Sequence, residues 1–80
     1  MVHEININKM IEKALRMQPG TVQFSDLMTE DEKEKYNKMH RVESDSVRWK
    51  FTEELIKRKL DRKVALSVKL GDDTVYIKQP

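Results

Sequence analysis

The chain has no cysteine in its 80 residues, which removes disulfides, thiolate metal ligands and cysteine nucleophiles together. Glycine and proline are scarce, two of each, so few positions force a break in a helix. No apolar stretch approaches the roughly 20 residues of a membrane-spanning helix, and the opening MVHEININKM lacks the basic start and apolar run of a signal peptide. The expectation is a cytoplasmic protein with no membrane partner. Catalytic signatures are missing as well: there is no Ser-His-Asp order, no Gly-rich phosphate loop and no close carboxylate pair in an apolar setting. His3 and His40 have no partners at metal-ligand spacing. These absences predict a protein that is not an enzyme and uses no catalytic residue, metal or cofactor.

What is present suits one small domain, residues 1–80, because a chain this short buries only about 60% of the surface it exposes when unfolded. Apolar and charged residues each make up 38%, a globular composition and not a disordered one. The net charge of +2 is unevenly placed: residues 1–40 carry −1 and residues 41–80 carry +3. From Arg48 to Lys63 there are seven basic residues against three acidic ones. Such a stripe is either an electrostatic footprint for phosphate or a solvated helix face with cations near its C-terminus, where the helix dipole favours them.

The first element is an amphipathic helix, since Ile7, Met10, Ile11, Ala14 and Leu15 recur at i, i+3, i+4, i+7 and i+8. Asn6 is its expected cap, and Pro19 with Gly20 should end it near Met17. TVQF then alternates, with Val22 and Phe24 on one side, enough for a strand of about three or four residues. Thr29 and Glu32 form a T-x-x-E capping box for a second helix, a stronger start than Ser25. Asp31 with Lys35 and Glu34 with Lys38 are acid-first i,i+4 pairs along it. Its buried face is thin, resting on Tyr36 and Met39 with help from Leu27, Met28 and Val42.

The segment SDSVRWKFTEELIKRKL, residues 44–60, has two readings. Val47, Trp49 and Phe51 alternate with polar residues as in a strand, whereas Val47, Phe51 and Leu55 recur every four residues as in a helix. Length decides for the helix, because the segment runs on through Leu60 without Gly or Pro. Ser44 or Ser46 is the expected cap, and Val47 to Leu60 the expected helical span. Phe51 and Leu55 should pack on Ile11 and Leu15, while Trp49, Ile56 and Leu60 form a second stripe that needs another neighbour. A lone tryptophan in a small domain is expected in the core, with stacking or interface use as the other reading.

The last third reads as a β-hairpin, VALSVKL and TVYIKQ around GDD. A type II′ turn at Gly71-Asp72 would set Val68 opposite Val75 and Leu66 opposite Ile77, four apolar side chains on one face.

Helix, short strand, helix, helix and hairpin is a layout that resembles winged helix-turn-helix domains over nearly the whole chain. TVQFSDL stands where the short strand feeds helix two, SDSVRWKFTEELIKRKL where the third helix lies, and VALSVKLGDDTVYIKQ where the wing lies. The resemblance implies an α+β, winged-helix-like fold and a small regulator that binds double-stranded DNA through its third helix. The implied contacts are Ser44, Ser46, Arg48, Trp49, Lys50 and Thr52, with Lys69 from the wing. Arg can pair bidentately with guanine and Lys can neutralise phosphate. The acidic tip Asp72-Asp73 would repel phosphate. The alternative reading is a protein-interaction module, an adaptor or inhibitor on the same scaffold. Its contact with a second copy or a protein partner would run through Trp49, Ile56 and Leu60.

Overall fold

Asn6 opens the first helix, α1 (Ile7–Leu15), by accepting the Lys9 N–H on its side-chain oxygen at 3.1 Å. The computed structural model describes residues 5–67, 69 and 72–78. The helix closes two residues before Met17, whose N–H turns back to the Ala14 carbonyl. Gly20, at φ +146, starts β1 (Gly20–Gln23) in a backbone conformation that side-chain-bearing residues rarely adopt. Phe24–Leu27 then make a single turn of 3-10 helix, so Phe24 leaves the strand while still turning its ring into the core.

The Thr29 capping box opens α2 (Glu30–Asn37) as expected, with the Glu32 N–H donating to Thr29 Oγ1 at 3.1 Å and Glu32 Oε1 accepting the Thr29 N–H at 3.0 Å. The other carboxylate oxygen, Oε2, accepts the Asn6 N–H at 2.8 Å. A single side chain therefore ties the starts of α1 and α2 together. The two acid-first pairs form, Asp31 to Lys35 at 3.3 Å and Glu34 to Lys38 at 3.9 Å.

The ambiguous segment is helical. It belongs to α3 (Arg41–Lys57), which starts before either serine expected to cap it. His40 takes the cap position because Glu43, three residues on, reaches back to accept the His40 N–H at 3.2 Å. Ser44 lies inside the first turns and donates its hydroxyl to the Arg41 carbonyl. At the other end the helix stops at Lys57 and not at Leu60. The Leu60 N–H bonds the Leu55 carbonyl at 2.8 Å and the Lys59 N–H bonds that of Ile56 at 3.0 Å, with Lys59 left-handed at φ +59. That is the Schellman pattern, which satisfies the last carbonyls at the cost of a residue in the left-handed region.

β2 (Val64–Leu66) and β3 (Thr74–Ile77) are the antiparallel wing, but their register differs from the expected one by two residues. Leu66 faces Val75 and Val64 faces Ile77. The apolar faces survive because a shift of two keeps side-chain parity. The Asp72 N–H donates to the Lys69 carbonyl at 3.0 Å, so the connection centres earlier than the Gly71-Asp72 turn expected for it. Val68 and Gly71 lie outside the described residues. β3 also pairs with β1, giving a three-stranded antiparallel sheet in the order β1-β3-β2. The short strand after α1 is therefore a true edge of the sheet.

The result is an α+β, winged-helix-like layout of three helices against this sheet. Its core gathers around Phe24, whose ring meets Phe51 edge-on at 5.1 Å and Tyr36 at 5.6 Å. Phe51, Leu55 and Ile11 are fully enclosed as expected, and Leu15 packs half-buried at the margin. Val42 does not join that face, for it is 80% exposed.

A candidate binding face on the third helix

α3 has one buried side, marked by Val47, Phe51 and Leu55, and the side of the helix opposite to it faces outward. Val42, Trp49 and Ile56 do so. They are 80%, 66% and 57% exposed, and their seven-residue spacing drifts only about 20° per step, so they form one stripe. Trp49 is thus not a core residue: the four-residue buried periodicity of α3 leaves its side pointing to solvent. Leu60, the expected third member of this stripe, has left the helix and packs half-buried against the core.

Beside the stripe, α3 and β2 enclose a groove of about 300 Å³, lined by Asp45, Trp49 and Thr52 from the helix and by Leu66, Ser67 and Lys69 from the wing. Arg48 lines it too, but its guanidinium is committed elsewhere. Its side chain is 13% exposed, and it donates to Asp73 Oδ1 at 2.7 Å, to the Tyr36 hydroxyl at 2.9 Å and to the Asp45 carboxylate. The Tyr36 hydroxyl donates in turn to Asp73 Oδ1. Burial works against the Arg48 charge, yet the bond to Asp73 and the nearby Tyr36 and Asp73 dipoles and charges outweigh it and hold its pKa above the ordinary value. Burial, reinforced by the Asp73 charge, pushes the Tyr36 hydroxyl up to about 12.

The two aspartates of the wing are hydrogen-bonded as well. Asp73 faces Arg48 and Tyr36, and its carbonyl accepts the Phe24 N–H at 2.6 Å. Asp72 Oδ1 accepts the Thr74 N–H at 2.9 Å and Oδ2 the Ser67 hydroxyl at 3.0 Å. Hydrogen bonds from Thr74 and then Ser67 keep the Asp72 carboxyl below its usual range.

Of the residues singled out in the sequence, the structure brings Arg48, Trp49, Thr52 and Lys69 to one groove. Lys50 is exposed on the other flank of the helix, by a shallow hollow lined with Asn8, Glu53 and Lys57. Ser44 and Ser46 are half-buried and do not line the groove. Sequence reading missed Asp45, Leu66, Ser67, Tyr36 and Asp73. The Asp45–Arg48 spacing of three on a helix was a usable signal. Nothing local announces that Asp73 and Tyr36 join the same cluster. Among the described residues no group of three or more His, Cys, Asp or Glu could hold a metal ion, and no helix is long and apolar enough to cross a membrane. Comparison with protein-family models, with curated proteins and with solved structures finds no match.

Proposed function

We propose that this chain is a protein-interaction module that meets its partner with the outward face of α3 and the adjoining groove. The observation that carries this reading is Trp49, a large indole left 66% exposed between two further exposed apolar residues on the same stripe. A large aromatic exposed on a small domain, in line with further exposed apolar residues, suits contact with another macromolecule, and Trp is prominent among the residues that dominate protein interfaces. The forked cation that would best read guanine, Arg48, is already bound by Asp45 and Asp73. Peptide display against the folded chain, counter-selected on a Trp49→Ala variant, tests the reading. Enrichment of ligands that the variant no longer holds supports it, and failure to enrich any such ligand sinks it.

A second reading, duplex DNA, rests on a separate observation. One of the two wing carboxylates, Asp73, is paired with Arg48, which lessens the repulsion expected at the tip, while Lys50 and Lys69 stay exposed. On that reading mixed-sequence duplex binds in low salt, and Lys50→Ala with Lys69→Ala lowers the salt slope by about one unit per lost phosphate contact. Absence of binding at low salt removes it.

A further inference from the structure

The sheet spends one face on the core, through Val64, Leu66, Val75 and Ile77. Alternation sends the residues between them to the other face, where Thr21, Tyr76 and Ala65 form a row across all three strands. Tyr76, in the middle of that row, is 41% exposed. The β2–β3 register continues past Val64 and Ile77 and sets Lys63 directly opposite Lys78 in the next row, where the Lys78 N–H donates to the Lys63 carbonyl at 2.7 Å. Both lysines are exposed. Like charges directly opposite each other on one face of a sheet repel and cost stability. Among the described residues neither ammonium has an ion-pair partner, and nor does the neighbouring Arg62.

The carboxylates of the chain leave this end of the sheet positive. Asp61, next to Arg62, lines a separate hollow with Lys59 and Arg62, and counting it against Lys59, Arg62, Lys63 and Lys78 still leaves +3. Glu54 is paired with Arg58. Residues 17–25, which include β1, carry no charge. Asp26 and Asp72 are bonded at the far end, to Gln23 and to Thr74 and Ser67. From Thr74 to Lys78 is four residues of strand, about 13 Å, more than the screening length of about 8 Å at physiological salt. We infer that this open face of the sheet binds single-stranded nucleic acid, with a base stacked on Tyr76 and the adjoining phosphates held by Lys63 and Lys78. An aromatic ring stacks on any base, and cations beside it follow the backbone. A duplex keeps its bases stacked within and offers Tyr76 no base face, whereas an acidic peptide would meet the lysines and have no need of the ring.

This face uses none of the α3 residues assigned to a protein partner, so the inference goes beyond that reading and stands or falls apart from it. The probes are a labelled mixed-sequence single strand of about 12 nucleotides, the duplex made from it, and a Glu-rich peptide, each titrated by fluorescence anisotropy in low salt. The single strand should bind saturably and more tightly than the duplex or the peptide. Tyr76→Ala should weaken it about tenfold while Tyr76→Phe, which keeps the ring, binds as the wild type does. Lys63→Gln with Lys78→Gln should weaken binding and lower the salt slope by about 0.7 per lost phosphate contact. That double variant also relieves the opposed charges, so its melting point should not fall and weaker binding cannot be put down to unfolding. Amide shifts of the wild-type chain on adding the single strand should gather at Thr21, Ala65, Tyr76 and Lys78. No binding in low salt, equal binding of duplex or peptide, equal losses in Tyr76→Phe and Tyr76→Ala, or shifts gathered on α3 around Trp49 overturns the inference.

Discussion

The Arg48 guanidinium stands 2.7 Å from the Asp73 carboxylate and joins the middle of α3 to the start of β3 across 25 residues of chain. Both side chains are mostly enclosed, and Tyr36 from α2 completes the cluster. Removing Arg48 would leave two carboxylates and a hydroxyl without their shared donor. Arg48→Ala should cost about 1–3 kcal/mol in urea unfolding, with Arg48→Lys recovering only part because an ammonium cannot fork between Asp45 and Asp73. Full stability in Arg48→Ala would mean that the cluster contributes no net energy.

The same cluster sets a response to alkali. Tyr36 is pushed from 10.0 up to about 12 in the folded protein, so folding favours its protonated form. That contribution is complete below the unfolded value and is lost as pH rises through about 10 to 12, an effect of roughly 2 kcal/mol. Unfolding midpoints should fall across this window in the wild-type chain and fall less in Tyr36→Phe. Parallel curves would show that Tyr36 does not carry the effect.

Two residues apart on α3, Trp49 and Phe51 should behave as opposites. Phe51 is fully buried and meets the ring of Phe24, so Phe51→Ala should cost about 3–5 kcal/mol. Trp49→Ala should move stability by no more than about 0.5 kcal/mol, since most of the indole is already in water. Circular dichroism melts of the two variants make the comparison, and a large loss in Trp49→Ala would mean that the outward face is misassigned.

Lys59 carries the left-handed turn that ends α3. A side chain there is strained, whereas glycine is not, so Lys59→Gly should stabilise the chain by about 1 kcal/mol. A destabilised variant would show that the lysine side chain makes up for its backbone conformation.

Glu32 accepts two backbone N–H groups, its own cap residue's and that of Asn6. Glu32→Ala should therefore cost more than Thr29→Ala, which forfeits one cap bond worth about 1 kcal/mol. In hydrogen exchange, Glu32→Ala should loosen the start of α1 as well as that of α2; loosening confined to α2 would separate the two caps.

Local chemistry made most of the fold legible. Asn6, Thr29 with Glu32, and the four-residue recurrence of Val47, Phe51 and Leu55 each act within a turn or two of helix, and the structure follows them. The errors fall where the deciding partner is remote or the competing signal is weak. His40 displaced Ser44 as cap because Glu43 reaches back, a contact that serine-based capping rules overlook. The wing slipped by two because alternation fixes parity and not register. The binding face was only half legible. A cation at position 48 reads the same whether it faces solvent or Asp73, and the distinction depends on a residue far along the chain.

β3 is the central strand of the sheet, yet it is the last of the described elements. β1 and β2 are each bonded to it and not to each other. During synthesis, Gly20–Gln23 must therefore leave the ribosome and wait for partners more than 50 residues downstream. Helices can form as they emerge, but the sheet closes in one late step, with the loop-closure entropy of β1 paired only at the end. A chain interrupted before Thr74 would lose the whole sheet and not merely its final strand, and the undersides of α1 and α3 would be left exposed to whatever chaperone or protease meets them first.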